Sequence, residues 1–165
     1  MVVDIVGSAS AGLLLDVDEA TWERDFAVNL KQHLFVGRAA ARNWIDHERA
    51  GVLCVVASVS GLFSSARHGA YGAAKAGVLS FVRTAAEVVA ARHPRERRRA
   101  RRRRTHGGGV GGGLDRDRPT SCSTVAMPED IAGAIAFFVS DLSRKVTGRS
   151  IVVDELDDAS YRLTP

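Results

Sequence analysis

The fold is decided by residues 51–82, which read GVLCVVASVSGLFSSARHGAYGAAKAGVLSFV. The six apolar residues from Val52 to Ala57 favour a strand that is covered on both faces, as in a parallel sheet. A loop rich in serine and glycine follows, and apolar residues at helical spacing then begin near Ala70. This succession of strand, loop and helix predicts α/β architecture.

The flanking segments continue the alternation. Residues 2–6 form a short β-rich run that ends at Gly7, and acidic residues at 16–19 predict the start of a helix that extends to about Ile45. The apolar positions expected on the buried face of this helix are Trp22, Phe26, Leu30 and Leu34. A further helix is predicted from Met127, and residues 151–153 are predicted to form a last strand.

The middle of the chain has a different composition. Residues 92–104 hold nine arginines and one glutamate, a local charge of +8, whereas the rest of the 165 residues carries 14 basic and 18 acidic side chains. Residues 107–113 contain six glycines. We therefore predict a central part of an α/β domain at 1–91, an irregular segment rich in arginine and glycine at 92–124, and the C-terminal helix and strand of the same domain at 125–165.

Several classes of protein are disfavoured by composition. The hydrophobic content of 45% suits a globular domain, and the longest apolar runs are too short to span a membrane. Cys54 and Cys122 are too far apart in sequence for a Cys-x-x-Cys pair, and the five histidines lack metal-ligand spacing, so no metal site is predicted. With no visible secretory signal, a cytoplasmic location is expected.

Tyr71 and Lys75 stand four residues apart at the start of the second long helix, so both side chains lie on one face. An ammonium group near a phenol favours the phenolate and lowers its pKa, which makes a proton donor and acceptor. Ser58 follows the preceding strand, with twelve residues between it and Tyr71, and Asn29 could turn its amide towards the same place. Two alternatives stay open: Tyr71 as an ordinary helix residue, and Asn29 as a buried amide with satisfied hydrogen bonds.

These residues resemble the short-chain dehydrogenase/reductase family. The resemblance rests on residues 28–30 (VNL), 55–58 (VVAS) and 71–75 (YGAAK), in the family's order and spacing, and on residues 127–132 (MPEDIA), 146–148 (VTG) and 151–154 (IVVD). It implies a partial doubly wound, Rossmann-like parallel sheet with flanking helices that lacks the N-terminal strands.

The resemblance also implies a site for hydride transfer between an alcohol and a ketone, with NAD or NADP as cofactor. Tyr71 would be the general acid, Lys75 would lower the pKa of Tyr71 and bind the nicotinamide ribose, Ser58 would polarise the substrate carbonyl, and Asn29 would hold a water in the proton relay. The expected cofactor-binding residues are Tyr71, Lys75, Ala11 and Gly12. The expected partners are a small alcohol or ketone and a second copy of the chain, bound through the two long helices.

The family's glycine-rich phosphate turn has no counterpart at residues 7–12, where the glycine spacing is wrong, and the glycines at 107–112 match it only trivially. The sequence thus predicts weak cofactor binding and inactivity for this chain alone. Because the family's strand and loop beside the nicotinamide fall where residues 92–101 now stand, we interpret residues 92–124 as a frame-shifted reading of that segment.

Two alternatives in other classes remain. The arginine-rich segment could bind nucleic-acid phosphates, but no aromatic residue between Arg92 and Gly113 is present to stack on bases, which disfavours a nucleic-acid partner. The chain could instead be a non-catalytic dimerisation partner that docks through its long helices.

Overall fold

The computed structural model describes residues 1–63, 65–92 and 126–153, with side chains described only up to residue 87 of the second range. Its sheet contains β1 (Val2–Asp4) and β2 (Leu53–Val55), paired in parallel with Val3 opposite Cys54. The α/β class and the parallel pairing predicted from the sequence are confirmed, although both strands are shorter than the apolar runs that predicted them.

The first long helix is interrupted by a wider turn. It comprises α1 (Glu19–Phe26), a single π-helical turn (Ala27–Lys31) and α2 (Gln32–Asp46). Its start is fixed by Asp18, whose carboxylate accepts the Thr21 N–H at 2.8 Å and so satisfies an otherwise unpaired backbone donor. The predicted single helix is thus two α-helical parts joined in line.

The second long helix, α3 (Gly69–Arg92), lies in the centre of the described fold, and α4 (Pro128–Val139) contacts β2. Along α3 the residues at intervals of four are buried: Ala70, Ala74 and Val78. Their small size allows neighbouring elements to approach closely. Gly37 of α2 also allows close packing, because a Cβ there would lie 3.1 Å from the Phe81 ring and 3.2 Å from Leu53.

Two of the sequence predictions are wrong. Trp22 and Leu34 are 39% and 46% exposed, because no described element covers that side of the long helix, and its most buried residues are polar. Residues 151–153 are described but form no strand, since a strand needs a hydrogen-bonded neighbour and the described sheet pairs only β1 with β2.

The proposed division of the chain at residues 91 and 124 remains a prediction. Nearly all of the segment that is rich in arginine and glycine, and with it the frame-shift interpretation, lies outside the described residues. Within the described ranges, no helix combines the length and the apolar character that a membrane span requires.

Candidate active site

The predicted site residues gather where the two strands end. Because β1 and β2 are parallel, their carboxyl ends lie at the same edge of the sheet, where α/β proteins bind ligands. Ser58 lies three residues beyond the end of β2, still with extended backbone angles (φ −155°, ψ 151°). It begins the 3₁₀ turn Val59–Gly61, and its hydroxyl accepts the Ser60 N–H at 3.2 Å.

Two glycines allow this turn to pack closely against the start of α3. A Cβ on Gly61 would lie 2.7 Å from the Lys75 carbonyl carbon and 2.8 Å from the Ala76 nitrogen, and a Cβ on Gly72 would lie 2.7 Å from the Ser60 oxygen. Both obstacles are backbone atoms, which cannot rotate away. The backbone packing therefore sets the position of Ser58 relative to the helix that carries Tyr71.

A Gly61→Ala substitution should test this packing. The added methyl group must push the turn away from α3, and we expect a loss of about 1–3 kcal/mol in the free energy of unfolding. Gly133→Ala is the matched control: a Cβ at Gly133 meets nothing within 4 Å, and alanine favours the interior of α4. Urea titration followed by circular dichroism measures both. An unaltered midpoint for Gly61→Ala would contradict the tight packing.

Tyr71 and Lys75 lie one turn apart near the start of α3, as predicted. Lys75 is 2% exposed, its Nζ donates a hydrogen bond to the Val56 carbonyl oxygen at 3.1 Å, and it lies 5.8 Å from the centre of the Tyr71 ring. Burial lowers the pKa of the Lys75 ammonium below its usual value, and the negative charge of Asp4 opposes part of that shift. His68 also lies beside the Tyr71 ring, edge-on, with 6.0 Å between the ring centres.

Asn29 lies in the π-helical turn and is fully buried. Its Oδ1 accepts the Ser8 N–H at 3.0 Å, and its Nδ2 donates to the Ser8 carbonyl oxygen at 2.7 Å. The amide therefore fixes the loop that follows β1, as the second sequence interpretation of Asn29 requires. The water-holding role stays a prediction.

The Asn29 amide and the Lys75 ammonium converge at Gly7. A Cβ added there would lie 3.1 Å from Asn29 Oδ1 and 3.1 Å from Lys75 Nζ. Side chains from two helices thus approach one backbone position at the end of β1. Glycine leaves room beside both polar groups that any larger residue would fill.

Ala11 and Gly12 lie farther along the same loop. The Gly12 N–H donates to the Arg67 carbonyl oxygen at 2.9 Å, and Gly12 forms a parallel bridge with His68. The loop after β1 is therefore tied to the segment that leads into α3. Cofactor binding by Ala11 and Gly12 remains a prediction.

A stripe of buried polar residues runs along the long helix, and only Asn29 among them is predicted from the sequence as a site residue. Its members, spaced by four residues and paired with the segment at and after β1, are Asp25 with Ser10, Asn29 with Ser8, and His33 with Asp4. His33 and Asp4 are both buried, and their side chains meet at 2.7 Å. The available signal is the i, i+4, i+8 spacing of the polar residues, which the apolar pattern at the neighbouring positions obscures.

Asp4 lies at one end of this stripe, and its charge acts on the buried Lys75 ammonium. Burial would raise the pKa of the Asp4 carboxyl, but hydrogen bonds from His33 and Gln32 outweigh that effect and hold the pKa below its ordinary value. The carboxylate therefore stays charged and favours the protonated form of Lys75.

The fold and the site define a Rossmann-like α/β protein with a tyrosine and a lysine one helical turn apart at the sheet edge. The family model for short chain dehydrogenases matches residues 1–93. The chain belongs to the short-chain dehydrogenase family, and the resemblance stated from its motifs is confirmed.

Two curated relatives show what share of a family member's length the chain spans. It is 30% identical over 146 residues to L-rhamnose 1-dehydrogenase (NAD(P)(+)) of Azotobacter vinelandii, covering 85% of this chain and 57% of that protein. It is 32% identical over 146 residues to cis-4-hydroxycyclohexanecarboxylate dehydrogenase of Sinomonas cyclohexanicum, covering 86% and 58%. The chain thus spans less than three fifths of the length of either relative.

Solved structures agree on the fold. An oxidoreductase of the short chain dehydrogenase/reductase family from Burkholderia thailandensis superposes with a TM-score of 0.71 at 27% identity, covering 93% of this chain and 62% of that one. 4-Hydroxyisoleucine dehydrogenase, in complex with NADH and succinate, has a TM-score of 0.72 at 21% identity, covering 93% and 65%.

Proposed function

We propose that this chain supplies the proton-transfer machinery of a nicotinamide-dependent oxidoreductase that interconverts an alcohol and a ketone. The single observation that carries the proposal is the position of Lys75. Its ammonium is buried between the end of β2 and the Tyr71 ring and reaches the open position at Gly7 together with Asn29. A buried cation beside a phenol is the arrangement that acid–base catalysis by tyrosine requires.

The donor set fits a nicotinamide riboside. An ammonium has three protons, and the bond to the Val56 oxygen uses one of them. Two protons remain for ribose hydroxyls and for the Tyr71 oxygen, and the absence of a side chain at Gly7 leaves Lys75 Nζ without a Cβ at 3.1 Å. NADH in the complex of a structural neighbour and NAD(P)(+) in the name of a curated relative support the same cofactor class, with NAD and NADP not distinguished.

In the proposed mechanism Tyr71 donates its phenolic proton to the carbonyl oxygen while the alcohol forms, and it accepts that proton in the reverse direction. Lys75 and Tyr71 would hold the ribose of a bound nicotinamide cofactor, which would supply or accept the hydride. Lys75 stabilises the phenolate that Tyr71 becomes, and Asp4 favours the charged form of Lys75. Ser58 would orient the carbonyl oxygen, since its hydroxyl still has its own proton to donate.

A panel of alcohols tests this proposal. The chain is joined to the part of a relative's domain that it does not span, giving what we call the completed domain. The panel contains L-rhamnose, cis-4-hydroxycyclohexanecarboxylate and a 3-hydroxyacyl thioester, taken from the names of curated relatives. We expect NAD(P)-dependent oxidation of at least one member. A folded completed domain that binds the cofactor and oxidises none would contradict the proposal.

The exposed side of α1 and α2 supports the proposed self-association. Leu34 and Phe35 are each 46% exposed, and Trp22 stacks on Phe26 at 4.6 Å on the same long helix. Burying such a face against a second copy would remove apolar surface from water. The cytoplasmic location stays a prediction.

A charge placed on this face should break the assembly. We expect the parent chain to have the mass of an oligomer. The Leu34→Glu variant should have the mass of a monomer, because its carboxylate would be buried unpaired at the interface. Leu15→Glu is the matched control, since Leu15 is 97% exposed in the 3₁₀ turn Leu14–Asp16 ahead of α1. Light scattering after gel filtration measures the mass. Equal masses for the Leu34→Glu and parent chains would contradict interface formation through α2.

A further inference from the structure

A small cavity lies between the start of α1, the loop after β1 and the segment that leads into α3. Its volume is about 80 Å³. Its polar lining residues are Ser10, Asp16, Thr21, Asp25 and Arg67. The backbone of Gly12 forms part of the wall.

Asp25 gives this cavity its chemical character. The residue is 2% exposed, and its Oδ1 accepts the Ser10 hydroxyl at 2.8 Å. Its Oδ2 is buried and has no hydrogen-bond partner in the described part of the chain. A buried carboxylate oxygen without a donor is costly, which indicates that a donor belongs beside it. Ser10 cannot serve twice, because its proton is already given to Oδ1 and its oxygen accepts from Arg24 at 2.8 Å.

We propose that this cavity binds the primary ammonium group of a small organic ligand. An ammonium provides three N–H donors, one of which would satisfy Asp25 Oδ2 while the others reach the Asp16 carboxylate or the Thr21 hydroxyl. Charge-assisted bonds of this kind are stronger than neutral ones. A volume of about 80 Å³ suits an ammonium on a short alkyl stem.

The lining residues disfavour two other ligands, a phosphate and a divalent metal ion. Asp16 and Asp25 bring two negative charges to the lining against the one positive charge of Arg67, so the lining favours a cation over a nucleotide pyrophosphate. A divalent metal ion generally takes at least three protein ligands or a dense set of oxygens, and no cluster of three or more histidine, cysteine, aspartate or glutamate side chains with metal-binding geometry occurs among residues 1–63, 65–92 and 126–153.

The test is a titration of the full chain, labelled with ¹⁵N, with ethylammonium chloride, with ethanol as the uncharged probe of similar size. We expect saturable shifts of the Ser10, Gly12 and Thr21 amide resonances with ethylammonium and none with ethanol. Asp25→Asn, which keeps the acceptor for Ser10, should weaken binding at least tenfold. Asp46→Asn removes an exposed carboxylate at the end of α2 and should leave binding unchanged.

Three outcomes with the organic probes would overturn the proposal: no saturable shift in the parent chain, equal shifts with ethanol, or undiminished binding in folded Asp25→Asn. Saturable shifts of the same three amides by magnesium chloride would also overturn it, in favour of a metal site. The comparison of the two organic probes on the parent chain needs no variant, so it stands even if Asp25→Asn fails to fold. Neither cofactor nor turnover enters the assay, and its result is therefore independent of the proposed oxidoreductase function.

Discussion

Replacing Tyr71 by phenylalanine in the completed domain is expected to lower kcat by about 10²–10⁴-fold, because the phenolic oxygen carries the transferred proton. The ring should keep its position beside Lys75 and His68, since those contacts involve the ring rather than the hydroxyl. Cofactor affinity should therefore change by no more than about twofold.

Steady-state kinetics and fluorescence titration with NADH or NADPH separate the two effects. A loss of cofactor affinity equal to the loss of kcat would assign Tyr71 a binding role instead. Turnover close to that of the parent protein in Tyr71→Phe would remove the residue from the mechanism. The melting temperature serves as the control for folding.

Removing the Asp4 carboxylate should have the largest effect on stability. His33 is fully buried and its Nδ1 lies 2.7 Å from Asp4 Oδ2, so Asp4→Ala leaves a buried imidazole and the Gln32 amide without their acceptor. Leaving a buried donor without its acceptor costs about 1–3 kcal/mol, and more where the lost partner is charged. Urea unfolding of the full chain at neutral pH measures this loss.

A double variant distinguishes the pair from simple loss of volume. Asp4→Val combined with His33→Leu replaces both polar partners with apolar groups and should recover the part of the lost stability that is due to the unpaired imidazole, while the Gln32 amide still lacks the Asp4 acceptor. Equal destabilisation by the single and double variants would contradict a coupled pair. Asp46→Asn, at an exposed position, should have no effect.

The same pair predicts an acid-dependent stability. The pKa of Asp4 in the folded chain lies below its ordinary value of 3.8, so the folded state binds the proton less readily than the unfolded state. The stabilisation from Asp4 is fully present above pH 3.8 and is lost as the pH falls through the lower folded pKa. Asp4→Ala should remove this part of the acid transition from the stability profile measured between pH 2 and 7.

The sequence predicted those parts of the fold in which local pattern and tertiary packing agree. The apolar run before Ser58 and the small-residue face of α3 each satisfy local propensity and burial together. Trp22 and Leu34 show where this agreement fails, because an apolar stripe indicates a surface to be covered but not whether a second copy or the same chain covers it. Whether residues 151–153 form a last strand likewise depends on a neighbouring strand that the local sequence does not specify.

The candidate site was predictable only where a residue type has a distinctive chemistry. Tyr71 and Lys75 stood out because their spacing places a phenol and an ammonium on one helix face. Asp4, Asp25 and His33 did not, because carboxylates and imidazoles usually lie on the surface and become informative only when burial forces them into pairs. The role of Gly7 depends on two side chains that approach it from distant parts of the sequence.

Transfer of an isotopic label tests the central proposal most directly. The completed domain is supplied with oxidised cofactor and with each alcohol of the panel deuterated at the carbon that bears the hydroxyl, and the reduced nicotinamide is analysed by mass spectrometry. The account predicts that deuterium from at least one alcohol appears in the nicotinamide, and that Tyr71→Phe suppresses this transfer. Reduced nicotinamide without label, or label transfer that is unaffected by Tyr71→Phe, would contradict it.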